Sequence, residues 1–259
     1  EAKLENVASD DYPCTYTLDA AGRLVGLNLA GTAITEIDLA AADFETLEVL
    51  NLGRTQLKTL HLPINLSELQ SLHVYECGAL TELSLATLPQ LEYADISEGA
   101  LSTLVLPAGL DHLQKLYLQK NQLQKIQFQG TCPVLEFLDL SENQLKGIAL
   151  PNGLDNLLYL YLNDNQLESI QCAGEVPKLE ILHLRNNQLI DLPETWLDPY
   201  PGLKTLYLAK NPLGTYLSGN LDVNDTANSL PFIEAYFQSL AGGAVKDNEC
   251  KVLLIGDGK

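Results

Sequence analysis

The chain contains no methionine, a single tryptophan and only 15 Lys and Arg against 34 Asp and Glu, for a formal net charge of −19 over 259 residues. So little positive charge excludes nonspecific nucleic-acid binding, which relies on Lys and Arg to neutralise phosphates. It also disfavours anionic membrane surfaces. No apolar run is long enough to span a bilayer, and no leader pattern opens the chain. A sequence that starts at Glu1 without Met is expected to be a trimmed one, which leaves a removed leader open. Five cysteines, Cys14, Cys77, Cys132, Cys172 and Cys250, are odd in number and widely spread. They form no CxxC pair, so reduced thiols and a cytoplasmic location are expected. The four histidines, His61, His73, His112 and His183, show no HExxH-like spacing, and no GxSxG occurs. No metal site or nucleophile is expected, and no enzymatic activity in the repeats.

What the chain does have is repetition. The pattern L-x-x-L-x-L begins at Leu24, Leu47, Leu69, Leu91, Leu113, Leu135, Leu157, Leu179 and Leu203, and seven of the eight intervals are 22 or 23 residues. A period in this range marks a leucine-rich-repeat solenoid, an α/β fold. The Leu-x-Leu part alternates, as a short strand with one buried face does. One repeat cannot bury its own leucines; stacked repeats bury them against each other, at roughly 1.5–3 kcal/mol per Leu. The strands should pair in parallel and line the concave side of a horseshoe.

Asn121, Asn143, Asn165, Asn187 and Asn211 follow their strands at one fixed position. The turn there leaves buried backbone donors and acceptors unpaired, and an Asn amide satisfies both kinds. The first four repeats carry Thr32, Thr55, Cys77 and Gly99 instead, and one extra residue lies between Cys77 and Leu80. A less regular N-terminal half is expected. A second period of 44 overlies the first: Pro63, Pro107 and Pro151 form one series, Pro89, Pro133 and Pro177 the other. Proline fixes φ and removes a donor. The outer side should therefore be extended or in short helical turns; a two-repeat duplication accounts for the spacing.

Residues 1–23 read as an N-terminal cap, with a short helix at 4–8 and a β-hairpin around Gly22 that leads into the first repeat and covers its edge. The nine repeats occupy 24–214. Residues 215–241 read as a C-terminal cap whose amphipathic helix begins near Asn228-Ser229 and Pro231. Its face of Phe232, Ile233, Tyr236, Phe237 and Leu240 is expected to cover the end of the core. Residues 242–249 form a linker, and 250–259 a further segment.

Residues between the strand leucines should face the concave side. The central ones are Asn28, Asn51, His73, Asp95, Tyr117, Asp139, Tyr161, His183 and Tyr207. The flanking ones include Tyr75, Tyr93, Lys115, Phe137, Tyr159, Ile181 and Arg185. The core does not need aromatics there, and aromatics anchor protein interfaces. These residues are the candidate partner-binding face, although stacked aromatics can also simply brace neighbouring strands. Asp95 and Asp139 lie two strands apart, roughly 10 Å, with Tyr117 between them. That spacing admits acid–base work but more often belongs to solvated binding residues.

The last residues, Lys251-Val-Leu-Leu-Ile255 and then Gly256-Asp-Gly-Lys259, read as a buried strand with the first glycine of a P-loop. Repeats, capping helix, linker and this tail together resemble the front of a bacterial Roco protein, in which leucine-rich repeats precede a Ras-like Roc G domain and a COR domain. The resemblance implies a parent that binds and hydrolyses GTP with Mg²⁺ and changes its oligomeric state, a homodimer among them. It also implies that this chain ends inside the P-loop, with Gly256 its only nucleotide-binding residue and no cofactor of its own. Its partners would be other domains or protomers of the same protein. The competing reading is a stand-alone adaptor or bacterial effector that binds a protein partner.

Overall fold

The computed structural model describes residues 14–40, 44–213 and 227–241. The expected helix at 4–8, the linker 242–249 and the tail 250–259 with Gly256 lie outside the described residues.

Ten strands form one long sheet. Their spatial order is β1 (Thr15–Leu18), β2 (Leu24–Asn28), β3 (Val49–Asn51), β5 (Ser71–His73), β7 (Tyr93–Asp95), β9 (Lys115–Tyr117), β11 (Phe137–Asp139), β13 (Tyr159–Tyr161), β15 (Ile181–His183) and β16 (Thr205–Tyr207). The even-numbered strands missing from this series lie on the opposite side of the core. β1 runs antiparallel to β2 and covers its outer edge; every later pair is parallel. Register follows from burial. Each strand of this sheet from β3 on is a triplet whose middle residue points inward, and Leu50, Leu72, Ala94, Leu116, Leu138, Leu160, Leu182 and Leu206 stack on one another, each 2% exposed or less. A slip of one residue would turn this whole row into solvent.

The outer side is extended. Six four-residue strands pair two by two: β4 (Thr59–Leu62) with β6 (Glu82–Leu85), β8 (Thr103–Leu106) with β10 (Lys125–Phe128), and β12 (Gly147–Leu150) with β14 (Ser169–Cys172). The prolines explain why the ladder stops after each pair. Within a pair, the residue after the second strand donates its N–H to the end of the first: Ala86 to Leu62 O, Gln129 to Leu106 O and Ala173 to Leu150 O, at 2.9–3.1 Å. Pro107 and Pro151 occupy the corresponding positions at the next junctions and have no N–H to give. The 44-residue period is thus visible as a physical unit of two repeats.

Buried leucines fill the space between the two layers, most of them fully shielded from solvent. At the C-terminal end, the open edge of β16 meets side chains rather than another strand. Asn228 Oδ1 accepts from Leu206 N at 2.9 Å, its Nδ2 donates to Lys204 O at 3.0 Å, and Ser229 N donates to Leu206 O at 2.7 Å. The same two residues start helix α1 (Leu230–Ala241), where Ile233 N donates to Ser229 O. Leu230 and Ile233 are buried, and Phe232, Tyr236 and Phe237 pack on the core beside them. Among the described residues no helix is long and apolar enough to cross a membrane.

Candidate docking face

The turn after each strand sets the geometry of the face. Eight non-glycine residues there, Arg54, Glu76, Glu98, Lys120, Glu142, Asp164, Asn186 and Lys210, adopt positive φ of 53–60°. That conformation costs a residue with a Cβ roughly 1–2 kcal/mol. In the first seven it turns the N–H toward the next repeat: Glu98 N donates to Gln119 O, Lys120 N to Ser141 O and Glu142 N to Asn163 O. The side chains form a charged row in which Arg54 pairs with Glu76 at 2.9 Å and Lys120 with Glu98 at 3.0 Å. Sequence reasoning missed this row; its signal was the charged or polar residue just before each ladder position.

The ladder position follows directly. Asn143 Nδ2 donates to Leu118 O at 3.0 Å and Leu140 O at 3.1 Å, while its Oδ1 accepts from Leu123 N at 3.0 Å. Asn121, Asn165, Asn187 and Asn211 repeat this three-way bridge between successive repeats. The N-terminal residues do less. Thr32 reaches only Leu29 O of its own repeat, at 2.6 Å. Thr55 and Cys77 share Leu52 O, at 2.8 and 3.2 Å. At Gly99 an added Cβ would lie 2.7 Å from Asn121 Oδ1, so the missing side chain leaves room for the neighbour's amide.

The first and last residues of every triplet share the open face of the long sheet, so the two rows are equivalent. This corrects the sequence-based division into central and flanking positions: His73 or Tyr117 is no more central than Tyr93 or Phe137. Across the rows runs a continuous chain of rings. Successive centroids lie 5.0 Å apart for His73–Tyr93, 5.5 Å for Tyr93–Tyr117, 4.8 Å for Tyr117–Phe137, 5.4 Å for Phe137–Tyr161, 6.0 Å for Tyr161–His183 and 4.7 Å for His183–Tyr207. Tyr159 branches from Phe137 at 6.2 Å. All are tilted or edge-on, the arrangements ring quadrupoles favour. The chain spans seven strands from β5 to β16.

Two candidates stand apart from it. Tyr75 lies beyond the end of β5 with its ring over Gly53, where an added Cβ would come within 2.6 Å, and Arg54 sits 5.8 Å above that ring. Arg185 stands in the same post-strand row and acts on His183 through its charge. Lys115 is exposed at the start of β9, and Ile181 is half-buried on β15.

The rings are partly shielded by one another, and their chemistry shows it. Burial, then the charge of Asp95 and the neighbouring Tyr117, pushes the Tyr93 hydroxyl up to about 12. Burial, then Asp95 and Asp139, raises Tyr117; burial, then Asp139 and nearby tyrosines, raises Tyr161. Burial holds His73 and His183 below their ordinary value, against the opposing pull of Asp95 on the first and of Asp164 and Asp139 on the second. Asp95 and Asp139 each spend one oxygen on their own turn. Asp95 Oδ1 accepts from Ser97 N at 3.1 Å and Ser97 Oγ at 2.6 Å, and Asp139 Oδ1 from Ser141 N at 2.9 Å. Asn28 and Asn51 do the same for Ala30 N and Gly53 N. The carboxylates therefore serve as turn-formers as well as surface charges. Among the described residues no group of three or more His, Cys, Asp or Glu is placed to hold a metal ion.

North of the ring chain, toward β1, the face hollows out. Thr17, Gly26, Asn28, Val49, Asn51 and His73 line a depression of about 400 Å³. His73 at its border is the one ring in this lining.

The profile for Leucine Rich repeats (2 copies) matches residues 133–172. Among solved structures, YopM from Yersinia enterocolitica WA-314 is 31% identical with a TM-score of 0.57, covering 74% of this chain and 38% of that one. The functional domain of InlJ from Listeria monocytogenes is 20% identical with a TM-score of 0.45, covering 77% of this chain and 52% of that one. The chain thus spans well under two thirds of either structure. No curated protein matches it. Profile and fold together make it a leucine-rich-repeat solenoid, a fold typical of protein-interaction domains.

Proposed function

We propose that this chain is a non-catalytic protein-interaction and regulatory domain that docks a partner on the concave, open face of its long sheet. The observation that carries the reading is the chain of rings from His73 to Tyr207. The leucine core lies on the other side of the sheet, so packing alone gives no reason to concentrate aromatics here, whereas interfaces draw their energy from such anchors. The test is a pull-down with Tyr117, Tyr161 and Tyr207 changed together to Ala. Retention of the partner should fall at least about tenfold, with an unchanged circular dichroism spectrum. Undiminished retention would sink the reading.

The tail supports placing the domain in front of a Roco-type G domain, with other domains or protomers of the parent as partners. Of a nucleotide site the chain holds only Gly256; the residues after it, Asp-Gly-Lys259, do not supply the P-loop lysine and hydroxyl that grip phosphate and Mg²⁺. These residues do not fit a bound GTP, and no nucleotide step is assigned to them. The likeness to YopM supports the second reading, a stand-alone bacterial binding module. The reading frame decides between them: Gly-Lys-Ser or Gly-Lys-Thr beginning five positions after Gly256 favours the G protein. Cys14, Cys77, Cys132 and Cys172 are free thiols, which supports a reducing, cytoplasmic setting.

A further inference from the structure

Charge on the open face follows the two-repeat unit. Asp95 on β7 and Asp139 on β11 occupy alternate strands of one row, with Tyr117 on β9 between them. Strand spacing sets these carboxylates roughly 10 Å apart. Each keeps its Oδ2 clear of its own turn, and neither is joined to a cation among the described residues. Both lie close to rings: the field of Asp95 acts on Tyr93 and Tyr117, that of Asp139 on Tyr117 and Tyr161. Exposed Glu92 and Glu136 stand just before β7 and β11 and add to the negative charge at that end of the strands. β9 brings the opposite sign in the other row, an exposed Lys115 without an ion pair among the described residues.

A ring face with a carboxylate beside it suits a guanidinium. The cation lies over the π cloud while its N–H groups donate to the acid. Two such places two strands apart also fix a spacing. In a polyproline II helix every third residue returns to the same side after about 9 Å. In a β-strand same-side residues recur after roughly 7 Å, which misses it. Lys115 repels a cation from the first-residue row of β9 and so directs it to the aspartate row.

We propose that strands β7 to β13 dock a partner segment in polyproline II conformation that carries arginine at every third position. The inference rests on the docking reading above and adds the chemistry of the partner. The net charge of −19 would draw such a segment in from solution.

The test uses the full chain and a labelled proline-rich peptide with four arginines at every third position, read by fluorescence anisotropy. Two controls carry arginine at every second position and glutamate at every third. The first peptide should bind best. Asp95→Asn with Asp139→Asn should weaken it about tenfold. Asparagine keeps the Oδ1 acceptor that each turn uses, so the fold should survive, as circular dichroism would show. Lys115→Gln should strengthen binding about threefold. Failure of the arginine peptide to bind, equal binding of the alternate-spacing peptide, preference for glutamate, or indifference to the asparagine variants each overturns the inference. The tyrosine triple variant separates the two levels. If it still loses its protein partner while the arginine peptide fails, docking stands and only the chemistry of the partner is wrong. If neither peptide nor partner responds to any of these changes, both fall.

Discussion

The N-terminal and C-terminal halves of the solenoid solve the same problem with different chemistry. From Asn121 onward, one amide per repeat makes three bonds and ties two repeats together. Before it, Thr32 and Thr55 cap a carbonyl of their own repeat, Cys77 shares one, and Gly99 supplies no side chain. The open face changes two repeats earlier, at β5. Up to β3 it is hollow, with a lining that meets the rings only at His73; from His73 on it is paved with rings. Most of the rings, Tyr117 to Tyr207, lie in the half with the stronger internal ties, and His73 and Tyr93 precede it. A docking surface gains from rigidity, because less ordering is left to be done on binding.

The largest effect should come from the ladder. Asn165→Ala leaves Leu145 N–H without its partner and strips one donor each from Leu140 O and Leu162 O, all buried. A loss of about 3 kcal/mol is expected in urea unfolding. Thr55→Ala should cost about 1 kcal/mol, since Cys77 Sγ still reaches Leu52 O. Equal losses at the two sites would erase the distinction between the halves.

A smaller effect is the response to acid. His73 and His183 are held below their ordinary value of 6.5 in the folded chain. Between the folded value and 6.5 the unfolded chain binds more protons, so stability falls as pH drops through this window and levels off below it. The urea midpoint should therefore be lower at pH 5.5 than at pH 7.5, and His73→Gln with His183→Gln should flatten the difference. An unchanged pH dependence in that variant would place the titration elsewhere. The smallest signal is spectroscopic. Alkaline absorbance titration should show tyrosine ionising at about 12 with an amplitude that falls in Tyr93→Phe; an unchanged amplitude would mean that Tyr93 is not shielded as described.

Much of this was legible before any coordinates. The leucine spacing alone predicts stacked parallel strands, because only in-register stacking hides Leu116, Leu138 and Leu160 together. The outward rings were readable from the same alternation. Other features were not. The charged or polar residue before each ladder position marks the row, but not that Glu98 and Lys120 take positive φ there, since the gain lies in a backbone bond to the next repeat. The pairing of outer strands two by two was present in Pro107 and Pro151, but a missing N–H matters only once Leu85 and Phe128 are known to face it. Tyr75 reads like the other tyrosines and is drawn aside because Gly53 gives its ring a bed. The carboxylates of Asp95 and Asp139 look available in the sequence, yet half of each is committed to a turn.

The central claim is that the paved half of the open face, and not the hollow half, takes the partner. One pull-down compares two double variants, Tyr117→Ala with Tyr161→Ala on the paved half and Thr17→Ala with Val49→Ala on the hollow half. Partner retention should collapse in the first and stay at the wild-type level in the second. Loss in the second with retention in the first would contradict the account.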